Sequence, residues 1–178
     1  MSILDIRLFG DPVLRQRARP VTDFDEALER LADDMLATMR EANGVGLAAP
    51  QVGILKRLFT WEVDEEHGAV VNPRLVDASE ELVSDDEGCL SFPGLFYPVE
   101  RPLRARIEHV DLHGEEHTTD LEDFDVRVWL HEMDHLNGIL FIDHLAKHDR
   151  KAAMREIRQM REGSGDGPEP GSLLLGRQ

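Results

Sequence analysis

Cysteine is nearly absent: Cys89 is the single one in 178 residues, so no disulfide can close within the chain. A disulfide-stapled secreted scaffold is excluded, and the expectation is a reducing compartment in which one thiol is free for chemistry. Long apolar runs are missing as well. No stretch approaches the ~18 consecutive apolar residues of a membrane-crossing helix. The opening MSILDIRLFG has neither a basic flank leading into a long apolar stretch nor a small-residue cleavage site. The expectation is a soluble, cytoplasmic protein with no membrane association. Positive charge is scarce: Lys+Arg number 20 against 36 Asp+Glu, a formal net charge of -16. The mean surface field repels phosphate backbones and anionic lipid, which disfavours broad nucleic-acid binding.

What is present is ordinary globular composition, 41% apolar with Gly 14 and Pro 9, at a length that predicts one domain with its own core. Residues 24–42 place Phe24, Leu28, Leu31, Met35, Met39 and Ala42 at helical period. Thr22 or Asp23 is the expected cap and Gly44 follows the end. From Leu55 to Asp120 the pattern turns to short β-branched segments broken by Gly and Pro. Leu103, Ala105 and Ile107 alternate with Arg104, Arg106 and Glu108, the period of a half-buried strand. Links this short predict antiparallel pairing. Helical period returns over 122–136 and again over 147–162, and the run GSGDGPEPGS from Gly163 predicts a flexible tail over 163–178. One block of strands between flanking helices is an α+β pattern.

His131-Glu132-Met133-Asp134-His135 is an HExxH motif within the predicted second helix. Residues i and i+4 lie one turn apart on one face, so both imidazoles can reach one ion and Glu132 can touch a water on it. The expected fold is therefore antiparallel sheets packed around a central helix that carries the HExxH motif, with an N-terminal and a C-terminal helix. A catalytic metal needs a third protein ligand. The metzincin pattern would place a His at 141, but residue 141 is Phe. A thermolysin-like pattern would use Glu156, whose neighbours Arg155, Arg158 and Arg161 mark a solvated face instead. The remaining candidate is Cys89 in Glu87-Gly88-Cys89-Leu90-Ser91, a soft ligand when deprotonated. By itself, a lone cysteine reads equally as a small buried hydrophobe. Gly44-Val45-Gly46-Leu47-Ala48-Ala49-Pro50-Gln51 satisfies a dinucleotide-binding GxGxxG/A string in letters only. It follows a helix rather than a strand, and Pro50 blocks a following helix. Its glycines suit a loop that approaches a ligand closely, with Gln51 offering an amide.

GVGLAAPQ, EGCLS and HEMDH, in that order, resemble the three signature motifs of the peptide deformylase family, and the resemblance runs over residues 3–146. It implies that Cys89, His131 and His135 are metal ligands and that Glu132 is the catalytic acid/base. It further implies that Gln51 and the Leu90 N–H bind the oxyanion, and that Val45 and Gly46 hold the substrate backbone. The implied cofactor is one divalent metal ion, Fe(II) before Zn(II). The implied reaction is removal of the formyl group from N-formylmethionyl peptides, releasing formate, by a single catalytic metallohydrolase domain spanning 1–162. One departure is visible: the family usually has Gln immediately before HExxH, and this chain has Leu130. A residue one step before His131 points about 100° round the helix, so tuning rather than ligation is affected. The last helix, 147–162, carries a net +3 in a chain of -16. A deformylase acts on chains leaving a surface of RNA phosphate, so this basic helix, through Arg150, Arg158 and Arg161, is the expected ribosome-docking element.

Overall fold

The computed structural model describes residues 1–163; of the expected tail, 163–178, all but Gly163 lies outside the described residues. Helix α1 is Glu26–Glu41, capped by Asp25, whose carboxylate accepts from Leu28 N at 3.0 Å. Glu26 and Glu29 in the first turn and Arg40 in the last complement the helix dipole. Leu28, Ala32, Met35 and Met39 form its buried stripe. The cap is thus Asp25 rather than Thr22 or Asp23, because Phe24 precedes the helix and remains 37% exposed.

Seven strands follow, β1 (Gly46–Ala48), β2 (Leu58–Val63), β3 (Glu66–Ala78), β4 (Leu82–Cys89), β5 (Phe92–Pro102), β6 (Arg104–Val110) and β7 (Glu116–Glu122). All pairings between them are antiparallel, in a five-stranded sheet of order β1-β2-β3-β6-β7 and a separate β4–β5 hairpin. Along β6 the Ala105 and Ile107 side chains are buried while Arg104 and Arg106 are exposed, so the alternation serves a half-buried strand. Helix α2 (Phe124–Leu136) packs against both sheets. Nearly every residue from Val126 to Leu136 is buried, including the polar Arg127, His131, Glu132 and His135. A helix buried on all sides places its polar groups where each needs a partner, and the site is built from those partners. After a 3₁₀ turn at Phe141–His144, helix α3 (Lys147–Gly163) buries only Ala153 and Ile157 and leaves its basic face in solvent. Among the described residues no helix is long and apolar enough to cross a membrane.

The α+β class, the antiparallel sheets and the three helices stand, but the expectation of sheets packed around a central helix marked by its HExxH motif is corrected at the metal site, which is not an HExxH motif. The donors that converge are a Cys/His/His triad, Cys89 from the end of β4 with His131 and His135 from α2. The centre is a joint between the hairpin and the helix, and the central helix alone does not make it.

Candidate active site

The one cysteine sits where the β4–β5 hairpin turns. Pairing shifts register between Glu87 and Cys89, and a Cβ at Gly88 would come within 2.4 Å of the Phe96 ring. Glycine is needed there so that Phe96 can lie against the backbone and the bulge can turn Cys89 inward. On α2 the His131 and His135 rings, one turn apart, lie 5.0 Å between centroids. Donor atoms of Cys89, His131 and His135 all lie within 4.8 Å of one another, in buried surroundings, and Cys89 Sγ is 3.3 Å from His135 Nε2.

Glu87 fixes one of these rings. It is completely buried, and its Oε2 accepts from His131 Nδ1 at 2.7 Å, which leaves Nε2 of that ring for the cluster. Burial works against the Glu87 charge, yet the His131 and Arg101 charges outweigh it and hold the carboxyl well below its ordinary range. The same pairing raises His131 despite its burial, whereas burial, followed by the His131 charge, lowers His135 well below the ordinary imidazole value.

The donor set fits a divalent transition ion. One thiolate and two imidazoles form a borderline-soft trio, and an ion that displaces the His131 proton releases it in the manner common to such sites. Two buried side-chain atoms here have no hydrogen-bond partner, Glu132 Oε2 and His135 Nδ1. An unpartnered carboxylate oxygen one residue from His131 suits a proton acceptor beside that donor set. Burial pushes the Glu132 carboxyl up to about 7.

Gln51 follows β1 in the 3₁₀ turn Ala49–Val52. Its Oε1 accepts from Ala48 N at 2.9 Å, which turns the amide NH₂ toward Ser91 Oγ at 3.1 Å and Cys89 Sγ at 3.6 Å. Gly44, Val45, Gly46, Gly88, Cys89 and Leu90 line a cleft, with His131, Glu132 and Phe96 also contributing. A Cβ at Gly46 would lie 2.5 Å from Glu132 Oε1, so bare backbone is required where β1 passes the carboxylate. Of the residues singled out from sequence, Val45, Gly46, Cys89, Leu90, His131 and Glu132 thus line one cleft, and Gln51 and His135 each contact Cys89 behind it. Glu156 does not join them; on exposed α3 it accepts from the Tyr97 hydroxyl at 2.6 Å.

Sequence reasoning assigns no role to Glu87, Arg101, Arg127 or Asp134. Arg101 Nε and Nη2 grip both Glu87 oxygens at 3.0 and 2.7 Å, and Arg127 Nη1 adds 3.1 Å to Oε1. A signal exists: Glu87 stands two residues before Cys89, in the same short EGCLS segment. Arg101 likewise falls at the parity of the apolar Leu95 and Val99.

Residues 3–151 match the sequence profile of polypeptide deformylases. A peptide deformylase of Acidothermus cellulolyticus is 52% identical over 159 residues, taking in 89% of this chain and 88% of that protein. The crystal structure of the peptide deformylase from Thermus thermophilus superposes with a TM-score of 0.83 at 49% identity, covering 88% of this chain and 93% of that one. The peptide deformylase from Legionella pneumophila gives 0.86 at 35% identity, covering 94% and 100%. With this likeness spanning nearly the whole described chain, cleft included, the chain belongs to the polypeptide deformylase family.

Proposed function

We propose that the chain hydrolyses the N-formyl group from the formylmethionine of newly made polypeptides, releasing formate, with residues 1–162 acting as one catalytic unit. The observation that carries this reading is the buried Cys89/His131/His135 donor set beside an unpartnered carboxylate and an amide oriented toward Cys89. The ion held by those three residues, Fe(II) by family resemblance and Zn(II) as the alternative, supplies Lewis acidity and a water of lowered pKa. Glu132 Oε2 accepts the proton of the attacking water. The water oxygen bonds to the formyl carbon, the C–N bond breaks, and Glu132 returns the proton to the departing amine. Charge that grows on the formyl oxygen is met by the Gln51 amide and the Leu90 N–H, each such donor being worth about 3–4 kcal/mol in comparable sites. Among the described residues β1 pairs only with β2, so its outer edge, beside Gly46 and the cleft-lining Val45, is left to the extended backbone of the peptide.

Turnover of formyl-Met-Ala by protein purified anaerobically, with metal analysis of the same sample, tests the reading and identifies the ion. Glu132→Gln should keep its metal and lose most turnover, because an amide holds the shape of the side chain but accepts no proton. Near-normal turnover in that variant would remove Glu132 from the mechanism.

Cytoplasmic location and docking on the ribosome complete the proposal. Two of the three arginines expected to face phosphate are engaged within the protein. Arg161 donates to Phe9 O and lies over the Phe9 ring, and Arg150 Nη2 is 3.7 Å from Asp143. Lys147, Lys151, Arg155 and Arg158, exposed along a shallow groove of α3, are the better docking set. Salt-sensitive ribosome binding should be lost when these four charges are reversed, with small-peptide turnover preserved.

A further inference from the structure

Behind the Glu87–His131 contact the polar chain continues to the surface. Glu87 has no free acceptor position: Oε1 takes Arg101 Nε and Arg127 Nη1, and Oε2 takes Arg101 Nη2 and His131 Nδ1. The rotation of this carboxylate therefore follows the plane of Arg101. That guanidinium is itself held at its far corner, where Nη1 donates to Asp134 Oδ2 at 2.8 Å. The same Asp134 oxygen is 2.8 Å from His144 Nε2. Asp134 lies three residues after His131 on α2, so the bonds form a ring from helix to β4, to β5 and back to the helix one turn on. Two members lie beyond that ring, the buried Arg127 on Glu87 and His144 on Asp134. His144 ends the 3₁₀ turn anchored by the buried Phe141 and Ile142, and its side chain is 37% exposed against 7% for Arg101 and none for Glu87.

We infer that His144, acting through Asp134 and Arg101, is a positioning residue that sets the orientation of Glu87 and thereby how firmly His131 holds the metal. Asp134 is one rotatable carboxylate serving two donors. Without His144 it can turn toward solvent, Arg101 loses its outer anchor, and the Glu87 carboxylate gains freedom to swing away from His131 Nδ1. Arg127 still holds Oε1 and bounds the loosening. Removing the direct partner of a metal-bound histidine lowers affinity about 10- to 100-fold. His144 stands three contacts further out, so the expected effect is smaller.

The inference rests on the Cys89/His131/His135 reading and is tested on the holoenzyme. Metal loss to excess chelator is followed by metal analysis of the protein for the parent, His144→Ala, His144→Gln and Arg15→Ala. Arg15 pairs with Asp143, next to His144 in the same turn, at 2.6 Å and with similar exposure, but has no link to Glu87. His144→Ala should lose metal about 3- to 10-fold faster, with His144→Gln, which restores an N–H donor, and Arg15→Ala near the parent. Melting of all four with metal in excess should agree within about 2 °C, as expected for an exposed pair. Equal loss rates in parent and His144→Ala overturn the inference while leaving the site reading intact. So does equal acceleration in His144→Ala and Arg15→Ala, which would make the turn merely structural. A parent that holds no metal overturns both.

Discussion

Glu87→Gln isolates the buried charge under the metal site. The substitution keeps shape and volume but removes the one anion in contact with all three of Arg101, Arg127 and His131, each of them buried. Removing one member of a buried ion pair costs about 3–5 kcal/mol. The lower end applies here because neither arginine is fully stranded. Arg101 keeps Asp134, and Arg127 keeps the carbonyls of Val99 at 2.8 Å and Val83 at 2.9 Å. Destabilisation of about 3 kcal/mol lowers the melting temperature by about 6–12 °C for a chain of this size. Thermal unfolding followed by circular dichroism measures it. Adding Arg127→Met should recover part of the loss, since it removes a cation that the neutral amide no longer balances. A single variant melting within about 2 °C of the parent, or a double variant less stable than the sum of its parts, would refute the reasoning that one carboxylate neutralises this cluster.

Three further outcomes follow from local geometry. Gly46→Ala should keep its metal yet lose about 100-fold in turnover, because the new methyl group displaces the Glu132 carboxylate by an amount comparable to its contact; unchanged turnover would show that β1 yields freely. Leu130→Gln places an amide among the apolar side chains around Val126 and Phe59 and should cost about 1–3 kcal/mol of stability with metal content unchanged, a loss of metal being the contrary result. On the β6–β7 hairpin the hydrogen bond from His117 is the main cause that lowers Asp111 to about 2, so its contribution to stability is present above about pH 4 and fades as pH falls through 2. His117→Ala should move the Asp111 titration up toward 3.8 by carboxyl NMR, and an unmoved titration would assign the shift to the backbone donors alone.

The parts of this fold legible in the sequence are those fixed by local period. The stripe of Leu28, Ala32, Met35 and Met39 marks the buried face of α1, and Ala105 and Ile107 mark the inner face of β6. Local period misplaces the helix start because Phe24 is apolar and falls at the right spacing, while the side chain that closes the first turn belongs to Asp25. The pairing of β3 with β6 across the intervening hairpin is beyond local reading, since no neighbouring residue records it. Glu87, Arg101 and Arg127 escape notice for a related reason. Each charge alone belongs in water by the ordinary rule, and only their meeting, across 14 and 40 positions of chain, makes burial tolerable.

That meeting also separates two carboxylates that the sequence presents as equals. Glu87 and Glu132 are both buried glutamates beside the same histidines, and the fold drives them in opposite directions. Glu87 is surrounded by donors and held below its ordinary range, so it remains an anion and serves as a fixed anchor for His131. Glu132 is pressed against the bare backbone of Gly46 with one oxygen unpartnered, and burial lifts it to about 7. A buried acceptor left open costs about 1–3 kcal/mol, a cost the fold tolerates at this position while satisfying the neighbouring carboxylate completely. Groups pushed apart in this way divide the labour of a site: the saturated one cannot take a proton, and the unsatisfied one is ready to. The satisfied hydrogen bonds of Glu87 thus say as much about the role of Glu132 as the HExxH spacing does.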